Sequence, residues 1–182
     1  MGGWTNLTNQ DVDKSVSLIE RLEAQGVDSY EEFIDIIEDI SPESVDSNGT
    51  NSIEYSYFDL KIDYDNRLIS VTTMDTPIYD RSYSASNSVS RSYYTDAGIK
   101  IFTITVEGSF NYSTGSCTTT SARGSYNRAL LSLWSSTPTI SSGNISAKKA
   151  YARISGVATS GSNSISYSLT LTCDDSGNFS SY

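Results

Sequence analysis

Histidine is absent from this chain of 182 residues. Without an imidazole, neither a Ser-His-Asp nor a Cys-His relay can be built, and the commonest zinc ligand is gone. Long apolar runs are missing too, and no stretch approaches the roughly 18 residues that a membrane-spanning helix requires. The glycines form neither a G-x-x-x-x-G-K-[ST] loop nor a G-x-G-x-x-G turn after a strand, which excludes the common phosphate cradles. Basic charge is scarce, with 12 Lys and Arg against 22 Asp and Glu. Nucleic acid is therefore excluded as a partner, because binding it needs a cationic surplus that displaces counterions. Cysteine occurs only at Cys117 and Cys173. Two thiolates alone do not complete a tetrahedral zinc shell, so no metal and no other cofactor is expected.

What fills the chain instead is hydroxyl and amide. Charged residues make up 19%, while tyrosine occurs 13 times and proline 3 times. Ser, Thr, Tyr, Asn and Gly dominate the second two thirds, as in a β-rich extracellular surface. The length suits one domain with a small appendage. Charge marks the division: residues 1–50 hold 12 acids against Lys14 and Arg21, which is −10, the whole net charge. Residues 51–182 hold 10 acids and 10 bases. This predicts an acidic helical hairpin over 1–48 that docks on a β domain over 49–182, with a linker at Asp46–Ser52.

Within the acidic part, Thr8-Asn9-Gln10-Asp11 offers a capping box, and Val12, Val16, Ile19 and Leu22 follow at helical spacing with Leu18 widening the stripe. Gly26 is a natural stop. Ser29-Tyr30-Glu31-Glu32 offers a second box before Phe33, Ile36, Ile37 and Ile40, and Ser41-Pro42 closes that helix. Short helices need a surface, so Ile19, Leu22, Phe33, Ile37 and Ile40 are expected to bury against the β part. The other reading is a separate acidic arm that meets a basic partner, or a pro-segment.

The β part is organised around Gly98–Cys117. Phe102, Ile104, Val106, Phe110 and Tyr112 alternate with Thr103, Thr105, Glu107, Ser109 and Asn111, the period of a strand with one dry and one wet face. Phe58–Tyr64 and Arg67–Met74 read as a hairpin about Asp65-Asn66. Its tip, Asp63–Asn66, resembles the start of a calcium loop but lacks the Gly and closing Glu, so it reads as a charged turn. Thr76–Tyr79 suits an edge strand because of Pro77. Tyr83–Asn87 reads as irregular, Val89–Tyr94 as a strand, Ser141–Asn144 as a turn, and Asp174–Tyr182 as a frayed tail. Asn127–Trp134 fits helical turn or strand equally. Ile145–Thr159 and Asn163–Cys173 pair about Ser160-Gly161-Ser162. The fold class expected is α+β, mainly β: the helical hairpin followed by an antiparallel, immunoglobulin-like β-sandwich with one disulfide.

Cys117 and Cys173 each end a β run, and their pairing as a disulfide would place the protein in an oxidising compartment; two buried free thiols are the alternative. Carboxylates for glycoside hydrolysis could be drawn from Glu54, Asp59, Asp63, Glu107, Asp174 or Asp175. Glu107 lies mid-strand beside Gly108, and the plainer reading sets it on the wet face opposite a Lys or Arg. Tyr55, Tyr57, Tyr93 and Tyr94 are candidate ligand-binding residues, since one ring offers an apolar face and a hydroxyl. Half-buried strand tyrosines are the ordinary alternative.

Arg91-Ser92-Tyr93-Tyr94, Ile101–Tyr112, Cys117 and Leu169-Thr170-Leu171-Thr172-Cys173 together resemble a group of secreted proteins of Gram-positive, often gut, bacteria. In these, S-Y-Y and F-T-V-T-V-x-G-x-F-x-Y runs precede a Cys, Ala- and Ser-rich strands and a late Cys. The resemblance spans about residues 80–175. It implies secretion, the disulfide and the β-sandwich, and supplies no activity. Met1-Gly2-Gly3 lacks a basic n-region and an apolar h-region, so no signal peptide is read here. The expectation is a secreted or cell-surface module that binds protein or carbohydrate without catalysis. A toxin or inhibitor domain governed by the acidic helices, and a carboxylate-dependent glycoside hydrolase, are the alternatives.

Overall fold

The computed structural model describes residues 17–40, 55–80 and 82–182. The fold is mainly β: of the described residues, 63% are in strands and 13% in helices. Helices α1 (Leu18–Gln25) and α2 (Tyr30–Ile40) precede β1 (Tyr55–Asp63), β2 (Leu68–Asp75), β3 (Ile78–Asp80), β4 (Ser84–Thr95), β5 (Lys100–Ser113) and β6 (Ser116–Arg128). Then follow β7 (Thr139–Ser146), β8 (Lys149–Ser160), β9 (Asn163–Asp174) and β10 (Phe179–Ser181). One antiparallel sheet runs β1-β2-β4-β5-β6, and β3 takes over from β2 along the far end of β4. The other runs β10-β9-β8-β7.

The alternation in β5 decides how the sheets meet. Phe102, Ile104, Val106 and Phe110 are fully buried and face Ala150, Ala152, Ile154, Leu169 and Leu171 from the second sheet. Each Phe, Ile, Val or Leu among them contributes about 1.5–3 kcal/mol when removed from water. Close approach needs a gap: a Cβ on Gly108 would lie 2.5 Å from the Phe110 ring and 3.1 Å from Ala152. Arg91 bridges the layers at one side, its Nε donating to Thr72 Oγ1 at 2.8 Å and its Nη1 to the Ser168 carbonyl of β9 at 3.1 Å. Trp134 caps one end, 6.5 Å from Phe102.

The helices bury a second, separate cluster. Leu18, Leu22, Phe33, Ile36 and Ile37 pack on Ile69, Val71 and Tyr94, with Phe58, Leu60 and Ile62 at the margin. These strand residues are on the outer face of the larger sheet, so the hairpin covers β1, β2 and β4. Ile19 and Ile40 are only partly buried there. The capping box that starts α1 is Ser17 with Glu20: Ser17 Oγ accepts from the Glu20 N–H at 3.3 Å, and Glu20 Oε2 accepts from the Ser17 N–H at 3.1 Å. The box expected at Thr8–Asp11, the stop at Ser41-Pro42 and the linker at Asp46–Ser52 are outside the described residues. Gly26 ends α1 in the left-handed conformation, φ 62°. Ser29 Oγ accepts from the Glu32 N–H at 3.3 Å, as its spacing predicts. A backbone bond from the Leu18 N–H to the Asp96 carbonyl, 2.7 Å, fixes the hairpin to the β4–β5 turn.

Several expectations are corrected. The immunoglobulin-like order fails, because within each sheet neighbours follow chain order instead of crossing between sheets as a Greek key does. The disulfide is not formed: Cys117 and Cys173 are free, buried thiols in a pair 3.9 Å apart, beyond the roughly 2.05 Å of a sulfur–sulfur bond. Tyr83–Asn87 is mostly strand, since β3 and β5 supply partners on both sides. Ser141–Asn144 is inside β7 and not a turn. The tail is ordered: Asp174 accepts from the backbone N–H groups of Ser176 and Asn178, each at 2.9 Å, and returns the chain as β10.

Candidate functional site

On β4 the helices cover only the Tyr94 end, and the rest of β4, with β5 and β6, is uncovered on the larger sheet's outer face. Every outward residue there is polar, because the inward positions took the apolar ones. Cross-strand hydroxyl pairs line it: Ser92 with Thr103 at 2.8 Å, and Ser90 with Thr105 at 2.9 Å. The next row carries charge. Ser88 is opposite Glu107, and Glu107 is opposite Arg123. Asp75 follows Met74, which pairs with Val89, so Asp75 completes the row beside Ser88. The Ser88 hydroxyl donates to Asp75 Oδ2. Two strand spacings separate the Asp75 and Glu107 backbones, about 10 Å.

This row lines a concavity of about 430 Å³, with Ile78, Ser86, Ser109 and Ser121 beyond it. A second concavity, about 590 Å³, shares Ile78, Ser86 and Ser109 and adds Asp80, Ser84, Asn111 and Thr120. Together they make an open trough along β4 and β5. Its charge is carried by Asp75, Glu107 and Asp80 against Arg123. Asn87 also borders it and is 7% exposed. Its Oδ1 accepts from the Ser88 N–H at 2.8 Å, while its Nδ2 has no hydrogen-bond partner among the described residues. A buried donor left without an acceptor costs about 1–3 kcal/mol.

The four tyrosines singled out by sequence do not form a site. Tyr55 pairs with Asp75 and Tyr94 with Ile69, six residues along β2 and about 20 Å away. Tyr93 and Tyr94 are buried, so neither offers a ring to a ligand. Tyr55 packs edge-on against Tyr30, ring centroids 4.8 Å apart, and burial pushes both hydroxyls above their ordinary pKa. Of the four, Tyr57 alone is exposed, at 39%.

The other acids are structural. Asp59 pairs with Lys61 at 3.2 Å. Asp63 is held below the usual carboxylate range by the side-chain amide and backbone N–H of Asn66, which makes it the turn cap its position suggests. Burial raises Asp174, but the bonds from Asn178 and Ser176 outweigh it and its carboxyl stays low. Asp175 accepts from the Gly115 N–H at 3.0 Å. Glu54 is outside the described residues. Glu107 is opposite Arg123, as the wet-face reading has it, and also lines the trough. Asp75, Ser88 and Arg123 escaped the sequence reading, because they meet only through the register of four strands. Among the described residues no three acid or cysteine side chains cluster closely enough to hold a metal ion. Comparison with family models, curated proteins and solved structures finds no match for the chain.

Proposed function

We propose that this is a secreted or cell-surface β-sandwich module that binds carbohydrate, without catalysis, in the outer-face trough. The observation that carries the reading is the row Asp75–Ser88–Glu107–Arg123. Carboxylates and a guanidinium are planar, bidentate groups, which suits adjacent hydroxyls of a sugar. The surrounding Ser, Thr and Asn side chains, among them Ser86, Ser109 and Asn111, donate and accept at once. Ile78, 72% exposed at the trough wall, supplies an apolar surface for a ring edge. A glycan array followed by titration of Arg123→Ala and Glu107→Gln tests it. Binding by the native chain, weakened in both variants, supports the reading; equal binding by the variants removes it.

Secretion is supported by the hydroxyl-rich composition. Glycoside hydrolysis is the second reading, favoured by Asp75 and Glu107 on one row. An inverting pair needs carboxyl groups about 6.5–9.5 Å apart, one of them an acid that keeps its proton near neutral pH. Glu107 is exposed and Asp75 half-buried, so neither is in the apolar pocket that such an acid requires. Release of reducing sugar from any glycan bound on the array would favour hydrolysis over binding.

A further inference from the structure

The loop between β6 and β7 exposes three leucines: Leu130 is 95% exposed, Leu131 86% and Leu133 81%. Ile99, on the adjoining β4–β5 turn, is 53% exposed. Scattered surface leucines need no explanation, but three on one loop form a patch. The loop is built, not slack. The Ser132 N–H donates to the Ala129 carbonyl at 3.0 Å, and the Ala129 N–H to the Ile101 carbonyl at 3.1 Å. Ser132 Oγ accepts from the Trp134 N–H at 3.2 Å, and Ser135 and Thr159 exchange backbone bonds at 2.9 Å. With Trp134 anchored beside Phe102, the leucines are held outward as a convex tip.

Charge narrows the partner. Between Glu107 and Asp174 the chain has no acid, and its charged residues are Arg123, Arg128, Lys148, Lys149 and Arg153. The loop lies in this stretch. Arg128 precedes it directly, and the bond to Ile101 sets Lys100 beside it. Asp96, in the neighbouring turn, is paired with Arg67. Asp63 and Asp65 are at the β1–β2 tip, and the acidic helices lie on β1, β2 and β4 and meet the β4–β5 turn through Leu18, Ile37 and Ile40. So in a chain of net charge −10 the leucine loop belongs to the one long stretch whose charges are all basic.

We propose that this loop docks the protein on a bilayer carrying anionic phospholipid, inserting Leu130, Leu131 and Leu133 at the headgroup boundary. Protein hot spots favour Trp, Tyr and Arg in a recessed centre, with leucine under-represented. Projecting aliphatic residues beside cations are instead the pattern of interfacial anchoring. Arg128 then stays at the level of the anionic headgroups.

The test is co-flotation of the full chain with vesicles of phosphatidylcholine alone and of phosphatidylcholine mixed with phosphatidylglycerol. The native chain is expected to float with the anionic vesicles and less so at high salt. Replacing the three leucines by serine should lower partitioning at least about tenfold with no change in melting temperature. Arg128→Gln should lower it about fivefold. The proposal is overturned if the native chain stays in the aqueous fraction, or if the triple variant floats equally. It is overturned too if light scattering shows a dimer that the leucine substitutions dissolve, because the tip then meets a second copy.

Discussion

Tyr93 and Tyr94 are neighbours in sequence and members of different cores. Tyr93 lies 4.5 Å from Phe102 between the two sheets, while Tyr94 lies 5.2 Å from Phe33 beneath the helices. One strand, β4, therefore joins the sheet-to-sheet core to the helix-to-sheet core, and each can be perturbed without direct damage to the other.

Phe33→Ala removes the fully buried aromatic ring by which α2 packs on Tyr94. It should cost about 3–5 kcal/mol of the helical hairpin's docking energy, as large-to-small core changes do. Hydrogen exchange should show α1 and α2 opening before the strands. Equal loss of protection in β5 and β9 would mean that the two clusters unfold as one.

Gly108→Val adds a branched side chain where even a Cβ meets Phe110 and Ala152. Forced separation of the sheets should destabilise by at least about 1–3 kcal/mol, read from chemical denaturation. Gly115→Ala, with nothing within 4 Å but φ 85°, tests backbone strain alone and should cost less.

Asp174 sets the pH response of the C-terminal strand. Its folded pKa is below the unfolded value, so its stabilisation is present above about pH 4 and is lost as pH falls through the folded pKa. β10 should lose hydrogen-exchange protection in that acid range. Asp174→Ala should release β10 at neutral pH too, at about 1–2 kcal/mol, while Asp59→Asn leaves it in place.

Burial raises the pKa of Cys117 and of Cys173, and each thiol's position is further set by the other. Since the thiolate is the reactive form, the folded protein should react slowly with a disulfide reagent. Unfolding without reductant should expose both thiols, so that titration counts two. A count of zero would contradict the free pair.

The strands of the core were legible because period 2 records burial along one strand: Phe102 to Phe110, and Ile165 to Leu171, point where alternation sends them. The helical faces were legible for the same reason at period 3.6. β7 was missed because Thr139-Ile140-Ser141-Ser142-Gly143 has turn composition, yet Ile140 and the gap at Gly124 let it pack beside β6 and β8. The tail was missed because Asp174 orders it through its own carboxylate, a local bond without periodicity. The site is a relation between strands. Asp75, Ser88, Glu107 and Arg123 are far apart in sequence, and only the registers of three strand pairs bring them to one row. Tyr93 and Tyr94 misled because exposure of a strand tyrosine depends on what covers the face, and here a second sheet and two helices do.

The most direct measurement is isothermal titration of the native chain, and of Glu107→Gln and Arg123→Ala, with an oligosaccharide that the glycan array retains. Saturable binding by the native chain, weakened at least about tenfold (1.4 kcal/mol) in each variant, is the expected result. Undiminished affinity in both variants, or no retained glycan at millimolar concentration, would contradict a sugar site in the trough.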